Sequence, residues 1–515
     1  MPEKPAKTLV SSTLAVTLII LVSKAAGFVR EMIMAYVFGA NAETDAYNSA
    51  YSLFYLPVLL FSSCISSTLV PQYLHCREEL GEAQANRFSS NTLTLFSIAS
   101  LVVSAIMFIA ARPLVRTVYP GFAGDKLELT VLLTRVMLPA LMFFAAGLVL
   151  SSILNAREKY VAAQLTGLPL SAAEIAAALF FSEKYGINAQ AWGVIAAGIL
   201  QILVLMPFLK GSFRYRPGID LSDKYLRRLM VLAVPAVLSM AVNELNHMVD
   251  RMLASGLNDG DISAMTYAFK LIMFMMGVLV VPLTTVSFSR MAKETIKSGS
   301  DAVAAQVRES MRLLITVIVP IVIVAAVESR HIIRFAYGRG SFTQENVQVT
   351  GLVFLYYVIG VPFFALRDLT NRVYHAFQDT RTPMLVAAVS VVINITLNLI
   401  LRRIMGVYGL ALATGIAAFV GVTLLFALLS RKTAGIFDKS FVFTVSRILA
   451  ANIPVFICAY ALASIWPESF GTGLVFIRLA AITLCSLTVY ILSLIALGGR
   501  QTIKILTQLI KRFKR

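Results

Sequence analysis

Runs of about twenty mostly apolar residues recur along the chain, and they restrict its fold more than any other feature. A helix needs roughly 20 such residues to cross the ~30 Å hydrocarbon layer of a bilayer. The most apolar runs are 8–23, 92–111, 131–154, 190–209, 271–289, 313–327, 351–366, 384–401, 409–430, 448–465 and 473–499, and more polar ones are 46–74, 160–182 and 229–254. We predict an all-α polytopic membrane protein with about fourteen transmembrane helices.

The distribution of charge supports this class and orients the chain. Hydrophobic residues make up 58% of the sequence and charged residues 14%, whereas about 25% of a soluble domain is charged. With the N-terminus inside, the predicted inner loops carry roughly three times as many Lys and Arg residues as the outer loops. This asymmetry indicates cytoplasmic N- and C-termini and contact of the basic loops with membrane lipids. It also accounts for the net charge of +18 without nucleic-acid binding.

The sequence repeats itself weakly, with an offset of about 218 residues. Residues 154–180 align with 374–400, which pairs Glu174 with Asn394. Each copy contains six predicted spans, so both copies begin and end on the same side and the two repeats are parallel. We predict a first lobe at 1–218, a second lobe at 219–438, and a C-terminal pair of helices with a basic cytoplasmic tail at 439–515.

Two parallel lobes are typical of transporters that bind substrate between the lobes and alternate its access to the two sides. The sequence contains no nucleotide-binding P-loop, HExxH zinc helix or nucleophile elbow. The four histidines are scattered along the chain, which argues against a metal site built from them. We therefore predict a transporter that is not an enzyme.

Several charged residues lie within predicted spans, where each costs at least ~2.5 kcal/mol near the bilayer centre. Lys24, Arg30 and Glu31 lie in the first span, and Lys270 lies in the eighth. Ion pairing, or snorkelling of long side chains near helix ends, is the structural alternative. For the three cations we favour a cavity that binds an anionic headgroup, above all a phosphate. Gly27 permits a bend that brings Lys24 and Arg30 to one cavity.

A second polar group offers oxygen ligands for a cation. Asp250 lies in the seventh predicted span, Asn394 and Asn398 lie one turn apart in the eleventh, and Thr414 lies in the twelfth. Carboxylate, amide and hydroxyl oxygens suit a hard cation. The alternative is a cluster of hydrogen bonds between helices, and the residues alone leave both open.

Four stretches of the sequence resemble the MurJ (MviN) family of lipid II flippases. They are GFVREMIMAYVFGANAETDAYNSAYSLFYLP (27–57), DRMLASGLNDGDISAMTYAFKL (250–271), AYGRGSFT (336–343) and YHAFQDTRTPMLVAAVSVVINITLNL (374–399). The resemblance is collinear over roughly residues 10 to 435. It implies the fold of the multidrug/oligosaccharidyl-lipid/polysaccharide exporter superfamily, with fourteen helices in two six-helix lobes and a final pair. In that family the final pair, here about 445–510, forms a groove for the isoprenoid tail.

The resemblance also implies a function and places its site residues. The family moves undecaprenyl-pyrophosphate-linked peptidoglycan precursor from the inner to the outer leaflet of the bacterial cytoplasmic membrane. Its substrate-binding residues fall on Lys24, Arg30, Glu31, Asp45 and Lys270. Two family arginines are therefore lysines here, which keeps the charge but loses bidentate phosphate binding. A family arginine in the second helix has no counterpart in LPVLLFSSCISS at 56–67.

The family's sodium site falls on Asp250, Asn394, Asn398 and Thr414. Asn398 stands where some members carry an acidic residue, which weakens the expected site. We therefore predict sodium as a candidate ion and no other cofactor. We also predict a monomer that works beside the cell-wall synthesis machinery.

Two other functions remain open at this point. One is export of another polyprenyl-linked oligosaccharide, or drug/ion antiport by a member of the same superfamily. Drug export favours acidic residues in the cavity, and the cationic residues here argue against it. The other is a non-transporting scaffold in cell-wall assembly, which gives no reason to keep charges inside the spans.

Overall fold

A computed structural model describes residues 6–211, 213–285, 299–433, 435–466 and 471–497 of the chain. Within these ranges the chain is almost entirely helical and contains no strand. It forms two compact units. The first contains the described residues up to Ser263 together with Gly340–Phe342, and the second contains the remaining described residues. The division at 218 and 438 that the repeat indicates stays a prediction.

The first unit consists of nine helices and the start of a tenth. Their bounds are α1 Ala6–Phe38, α2 Ala42–Ile109, α3 Ala111–Val118, α4 Gly124–Met137, α5 Ala140–Ala156, α6 Tyr160–Gln164, α7 Gly167–Tyr185, α8 Asn188–Leu209 and α9 Lys224–Ala254. Small residues allow close packing, as in other membrane helices. A Cβ atom on Gly193 of α8 would lie 3.0 Å from Ala177 Cβ of α7.

The second unit contains most of α10 Asp261–Met275, which continues into a π-helical turn at Met276–Val280. Its other helices are α11 Gly299–Val327, α12 Ser329–Tyr337, α13 Gln344–Ala376, α14 Arg381–Met405, α15 Val407–Lys432, α16 Lys439–Ile465 and α17 Thr472–Ala496. A buried ion pair fixes α17: Arg478 donates to Glu328 Oε2 at 3.0 Å and to Oε1 at 2.9 Å.

Helix α2 differs from the predicted pair of spans joined by a loop. It is 68 residues long and contains both runs, 46–74 and 92–111. At 1.5 Å per residue it would extend roughly 100 Å if straight, far more than a bilayer. The backbone leaves helical geometry at Gly81, where φ is +82°. A left-handed residue of this kind breaks the helix, so the two spans lie on either side of Gly81.

The predicted number of spans stays a prediction. Among the described residues, ten helices are long and apolar enough to cross a membrane, and the bent pair α4 and α5 gives an eleventh. Counting α2 as two spans adds one. Helices α1 and α9 lie outside this count, although their lengths of 33 and 31 residues are sufficient to cross a bilayer.

The connection between α13 and α14 is fixed by one carboxylate. Asp379 accepts hydrogen bonds from Thr382 N at 3.0 Å and from Thr382 Oγ1 at 2.7 Å, and it also accepts one from Lys432. The hydrogen bond from Lys432 is the main cause that holds the pKa of Asp379 below its ordinary value, and the bonds from Thr382 add to it. Carboxylates that accept several hydrogen bonds favour the charged form.

Candidate functional site

Arg30 lies in the C-terminal third of α1 and is held by two carboxylates. Its Nη2 and Nε donate to Glu31 Oε1 at 2.8 and 3.2 Å. Its Nε also lies 3.3 Å from Glu174 Oε2, which reaches it from α7. The side chains are 15%, 7% and 3% exposed for Arg30, Glu31 and Glu174 respectively. The structural alternative of ion pairing is therefore present, and it uses a residue that the sequence did not assign to the site.

A row of tyrosines on α2 completes this cluster. Tyr47 donates to Glu174 Oε1 at 3.2 Å. The rings of Tyr47 and Tyr51 have centroids 6.0 Å apart, and those of Tyr51 and Tyr55 stack at 5.5 Å. The spacing of i, i+4 and i+8 places all three on one helix face. That spacing is the sequence signal that could have located this face before the structure was known.

Lys24 and Arg30 do not share a face of α1. The helix is continuous through Gly27 from Ala6 to Phe38, so the predicted bend does not appear as a break in the helix. Residues six apart differ by about 240° around a regular helix. Lys24 is accordingly exposed, whereas Arg30 is largely buried.

Lys270 lies on α10 in the second unit and is half-buried. Its participation with Lys24 and Arg30 in one substrate site stays a prediction.

Asp45 forms the second buried charge cluster, at the start of α2. Its Oδ1 accepts from Ser263 N at 2.8 Å and Ser263 Oγ at 2.7 Å. Its Oδ2 accepts from Gly260 N at 2.8 Å and from Lys126 Nζ at 2.9 Å. The aspartate is completely buried. Three of these donors join the start of α2 to the α9–α10 connection and the first turn of α10, and the fourth, Lys126, joins it to α4.

Three further contacts lie at connections predicted to face outside. Ser341 donates from N and Oγ to the carbonyls of Tyr36 and Val37, both at 2.8 Å. Gly121 N donates to Ser255 Oγ at 3.2 Å. A Cβ atom on Gly340 would lie 2.2 Å from Tyr36 O. These bonds hold 340–342 to the end of α1 and 119–123 to 255–260, and Gly260 lies close to Ala40. The four outer connections 39–41, 119–123, 255–260 and 340–342 are therefore neighbours within the first unit.

Hydrogen bonds connect three of the four proposed cation ligands. Asn398 donates to Asn394 Oδ1 at 3.0 Å, and Asn394 Nδ2 lies 3.4 Å from Thr414 Oγ1. Both asparagines are buried. These three residues belong to the second unit, whereas Asp250 is buried in the first. The hydrogen-bond alternative is thus present for the three, and the four-residue sodium site stays a prediction.

Sequence reasoning missed three functional partners. In the sequence, Glu174 stands out only as the counterpart of Asn394 in the repeat. Lys126 and Ser263, which hold Asp45, carried no signal of their own.

Within the described part of the chain, no group of three or more His, Cys, Asp or Glu residues could hold a metal ion.

Comparisons with known proteins agree along nearly the whole chain. A family model described as lipid II flippase MurJ matches residues 34–481. Among relatives, a probable lipid II flippase MurJ of Rhizobium tropici is 27% identical over 93% of this chain and 92% of its own length. One of Rhizobium meliloti is 30% identical over 79% of this chain and 78% of its own.

Solved structures with the same fold include a lipid II flippase MurJ in an inward closed conformation. It has a TM-score of 0.76 and 25% identity, covering 94% of this chain and all of the other. An inward-facing multidrug transporter of the MATE family, from the MOP superfamily, has a TM-score of 0.70 at 12% identity, over 82% of this chain and 98% of its own. At that identity the likeness concerns the fold alone, and it agrees with the superfamily fold expected from the sequence.

Proposed function

This chain belongs to the MurJ family of lipid II flippases, and we propose that it moves lipid II from the inner to the outer leaflet of the bacterial cytoplasmic membrane by alternating access. The transported headgroup is a pyrophosphate-linked disaccharide-pentapeptide, and its polyprenyl tail stays in lipid. The task is binding and release without bond chemistry, as expected for a family of transporters. The N- and C-termini lie in the cytoplasm in this proposal.

The observation that carries the proposal is the guanidinium of Arg30 inside an apolar helix. Arginine is the side chain best suited to phosphate, because its planar fork offers several N–H donors in fixed geometry. Its two carboxylate partners offset the cost of placing the cation there in the absence of substrate. A pyrophosphate is the kind of group that can compete with them, since it presents several charged oxygens at once.

Lys24 and Lys270 supply further positive charge in the proposed cycle. An ammonium binds phosphate as a point charge without fixing its orientation. Arg30 therefore provides the geometry of recognition, and the two lysines contribute attraction over a longer range. Glu31 holds the arginine between transport events.

Asp45 and its partners close the outer side in this proposal. Release of a large headgroup outside requires the four outer connections to separate. The four hydrogen bonds to Asp45 are the strongest group of contacts among them, because each involves an ionised acceptor. They make the closed arrangement stable enough to persist until substrate loading changes the balance between the two arrangements.

We propose the membrane potential as the main driving force, with a cation at Asp250, Asn394, Asn398 and Thr414 as a modulator. One charge that crosses a potential of 100 mV gains about 2.3 kcal/mol. An empty cationic site at the outer face is drawn inward by an inside-negative potential. A bound cation would instead favour one lobe arrangement by joining the predicted helices seven, eleven and twelve.

The proposal is tested by complementation of a strain depleted of its lipid II flippase. The wild-type chain should restore growth, and Lys24→Ala, Arg30→Ala and Lys270→Ala should each impair rescue at normal membrane abundance. Lys184→Ala on α7 is a matched control, since that lysine is exposed. Failure of the wild-type chain despite normal abundance would favour export of another polyprenyl-linked oligosaccharide. Full rescue by all three variants would remove the phosphate site from the proposal.

A further inference from the structure

The two carboxylates engage only some of the N–H donors of the Arg30 guanidinium. Its Nη2 and Nε make hydrogen bonds to Glu31, and Nε is also in ion-pair contact with Glu174. Within the described part of the chain, Nη1 makes no hydrogen bond, and 15% of the side chain stays exposed. The edge of the guanidinium formed by Nε and Nη2 is therefore held by protein carboxylates, and the edge that carries Nη1 keeps N–H donors for an anion.

Glu31 alone does not fix the direction of this fork. Adjacent residues on a helix point about 100° apart and do not face each other. Both ends of that pair also move together, because they belong to the same helix. Glu174 approaches from α7, so it supplies a fixed point outside α1.

Glu174 is itself firmly held. Tyr47 donates to its Oε1 at 3.2 Å, and Gln190 Nε2 donates to its backbone carbonyl at 3.3 Å. A Cβ atom on Gly193 would lie 3.5 Å from Glu174 Cα, so α8 packs directly against this turn of α7. The carboxylate is 3% exposed. A group supported by two neighbouring helices and excluded from water keeps its place while other parts of a transporter move.

We propose that Glu174, supported by Tyr47, is a positioning residue for substrate recognition: it orients Arg30 so that the remaining N–H donors meet a polyprenyl diphosphate headgroup. This inference rests on the proposed function. It deepens that function, because it assigns part of the headgroup affinity to a carboxylate on the fifth span.

The proposal and simple electrostatics predict opposite changes in the affinity for a diphosphate when the charge of Glu174 is removed, so one binding measurement can separate them. A carboxylate close to an anion site repels the anion, so removal of the charge alone should strengthen binding of a diphosphate. If Glu174 positions Arg30, removal of the charge should weaken binding, since the guanidinium then loses its fixed orientation. The sign of the change distinguishes the two effects.

The experiment measures binding of undecaprenyl diphosphate by the full-length protein in lipid nanodiscs of neutral lipid. Glu174→Gln keeps the size and a hydrogen-bond acceptor but removes the charge. We expect about tenfold weaker binding, the effect of one lost charge-assisted interaction. Glu174→Asp should restore part of the affinity. Glu183→Gln is the matched control, because Glu183 is exposed on the same helix, and it should bind as the wild type does.

A double-mutant cycle shows whether the effect passes through Arg30. Arg30→Gln should bind weakly, and addition of Glu174→Gln should weaken it no further. If the variant at 174 does not fold, Tyr47→Phe removes only the hydroxyl that supports the carboxylate, and about threefold weaker binding is expected.

Three results would overturn the inference. They are unchanged or tighter binding by folded Glu174→Gln, fully additive effects with Arg30→Gln, and unchanged binding by Tyr47→Phe where it is the only folded variant. If Arg30→Gln also binds like the wild type, the headgroup site of the proposed function fails as well. The two failures are thus distinguishable.

Discussion

Replacement of Asp45 by asparagine tests whether the outer contacts act as a gate. The carboxylate uses each oxygen for two donors: Ser263 N and Oγ on one, Gly260 N and Lys126 Nζ on the other. An asparagine has one oxygen and one NH2 group, so whichever way it turns, two donors face another donor. The perturbation changes a few atoms and leaves the volume of the side chain nearly the same.

The magnitude follows from the two lost contacts. A hydrogen bond to an ionised group contributes about 1.5–3 kcal/mol, and the donors left behind are buried. We expect a cost of about 4 kcal/mol to the closed outer arrangement. Since ~1.4 kcal/mol is a tenfold change in an equilibrium constant, the closed arrangement loses up to roughly a thousandfold in relative population.

The assay is labelling of Ser255→Cys by a membrane-impermeant maleimide added outside, in a background without the native cysteines. Ser255 is 5% exposed and accepts a hydrogen bond from Gly121 N, so labelling should be slow in the parent and much faster with Asp45→Asn.

Asp259→Asn is the control. That residue pairs with the same lysine at 2.8 Å but is 68% exposed, and exposed pairs contribute about 0–1 kcal/mol. A lower thermal midpoint without faster labelling would refute the gate and leave Asp45 a purely structural role.

Three other perturbations have defined outcomes. Glu328→Gln should lower the midpoint of thermal unfolding in detergent, since removal of one partner from the buried pair with Arg478 costs about 3–5 kcal/mol; a midpoint equal to the wild type would show that the pair does not hold α17. Gly340→Ala should accelerate outer labelling, because φ at this position is +59° and a Cβ atom would meet Tyr36 O at 2.2 Å; unchanged labelling would contradict that. Asp250→Asn should keep transport driven by an imposed potential and abolish any sodium dependence; loss of potential-driven transport would reverse the proposed order of the two driving forces.

The sequence was sufficient for features that a single helix determines. Apolar runs predicted the helical membrane class because each span meets the same solvent requirement independently. The cost of ionised groups in apolar helices predicted that Arg30 and Glu31 need polar partners, whereas Asp45 was suggested by the family resemblance alone. Which partners they have depends on how helices cross, and Glu174 lies 144 residues from Arg30, which it contacts.

Two features of the first unit differ from what the sequence was taken to predict. The linker 75–91 was expected to be a loop, but its Glu, Leu, Ala and Gln residues favour helix, and only Gly81 breaks it. Lys24 was grouped with Arg30 by charge, although a continuous helix turns them apart by about 240°. In both places the sequence contained the necessary information, namely helix propensity at 75–91 and a spacing of six residues between Lys24 and Arg30. The assumption of a loop in the first place and of a bend in the second led to the wrong prediction.

The most direct test of the account is transport of fluorescent lipid II by the purified chain in proteoliposomes with an inside-negative potential. The assay counts lipid II that becomes accessible in the opposite leaflet. The account expects movement that requires the potential, is inhibited by undecaprenyl diphosphate and is lost in folded Arg30→Ala. Equal movement by Arg30→Ala, or no movement by folded, correctly oriented wild-type protein, would contradict it.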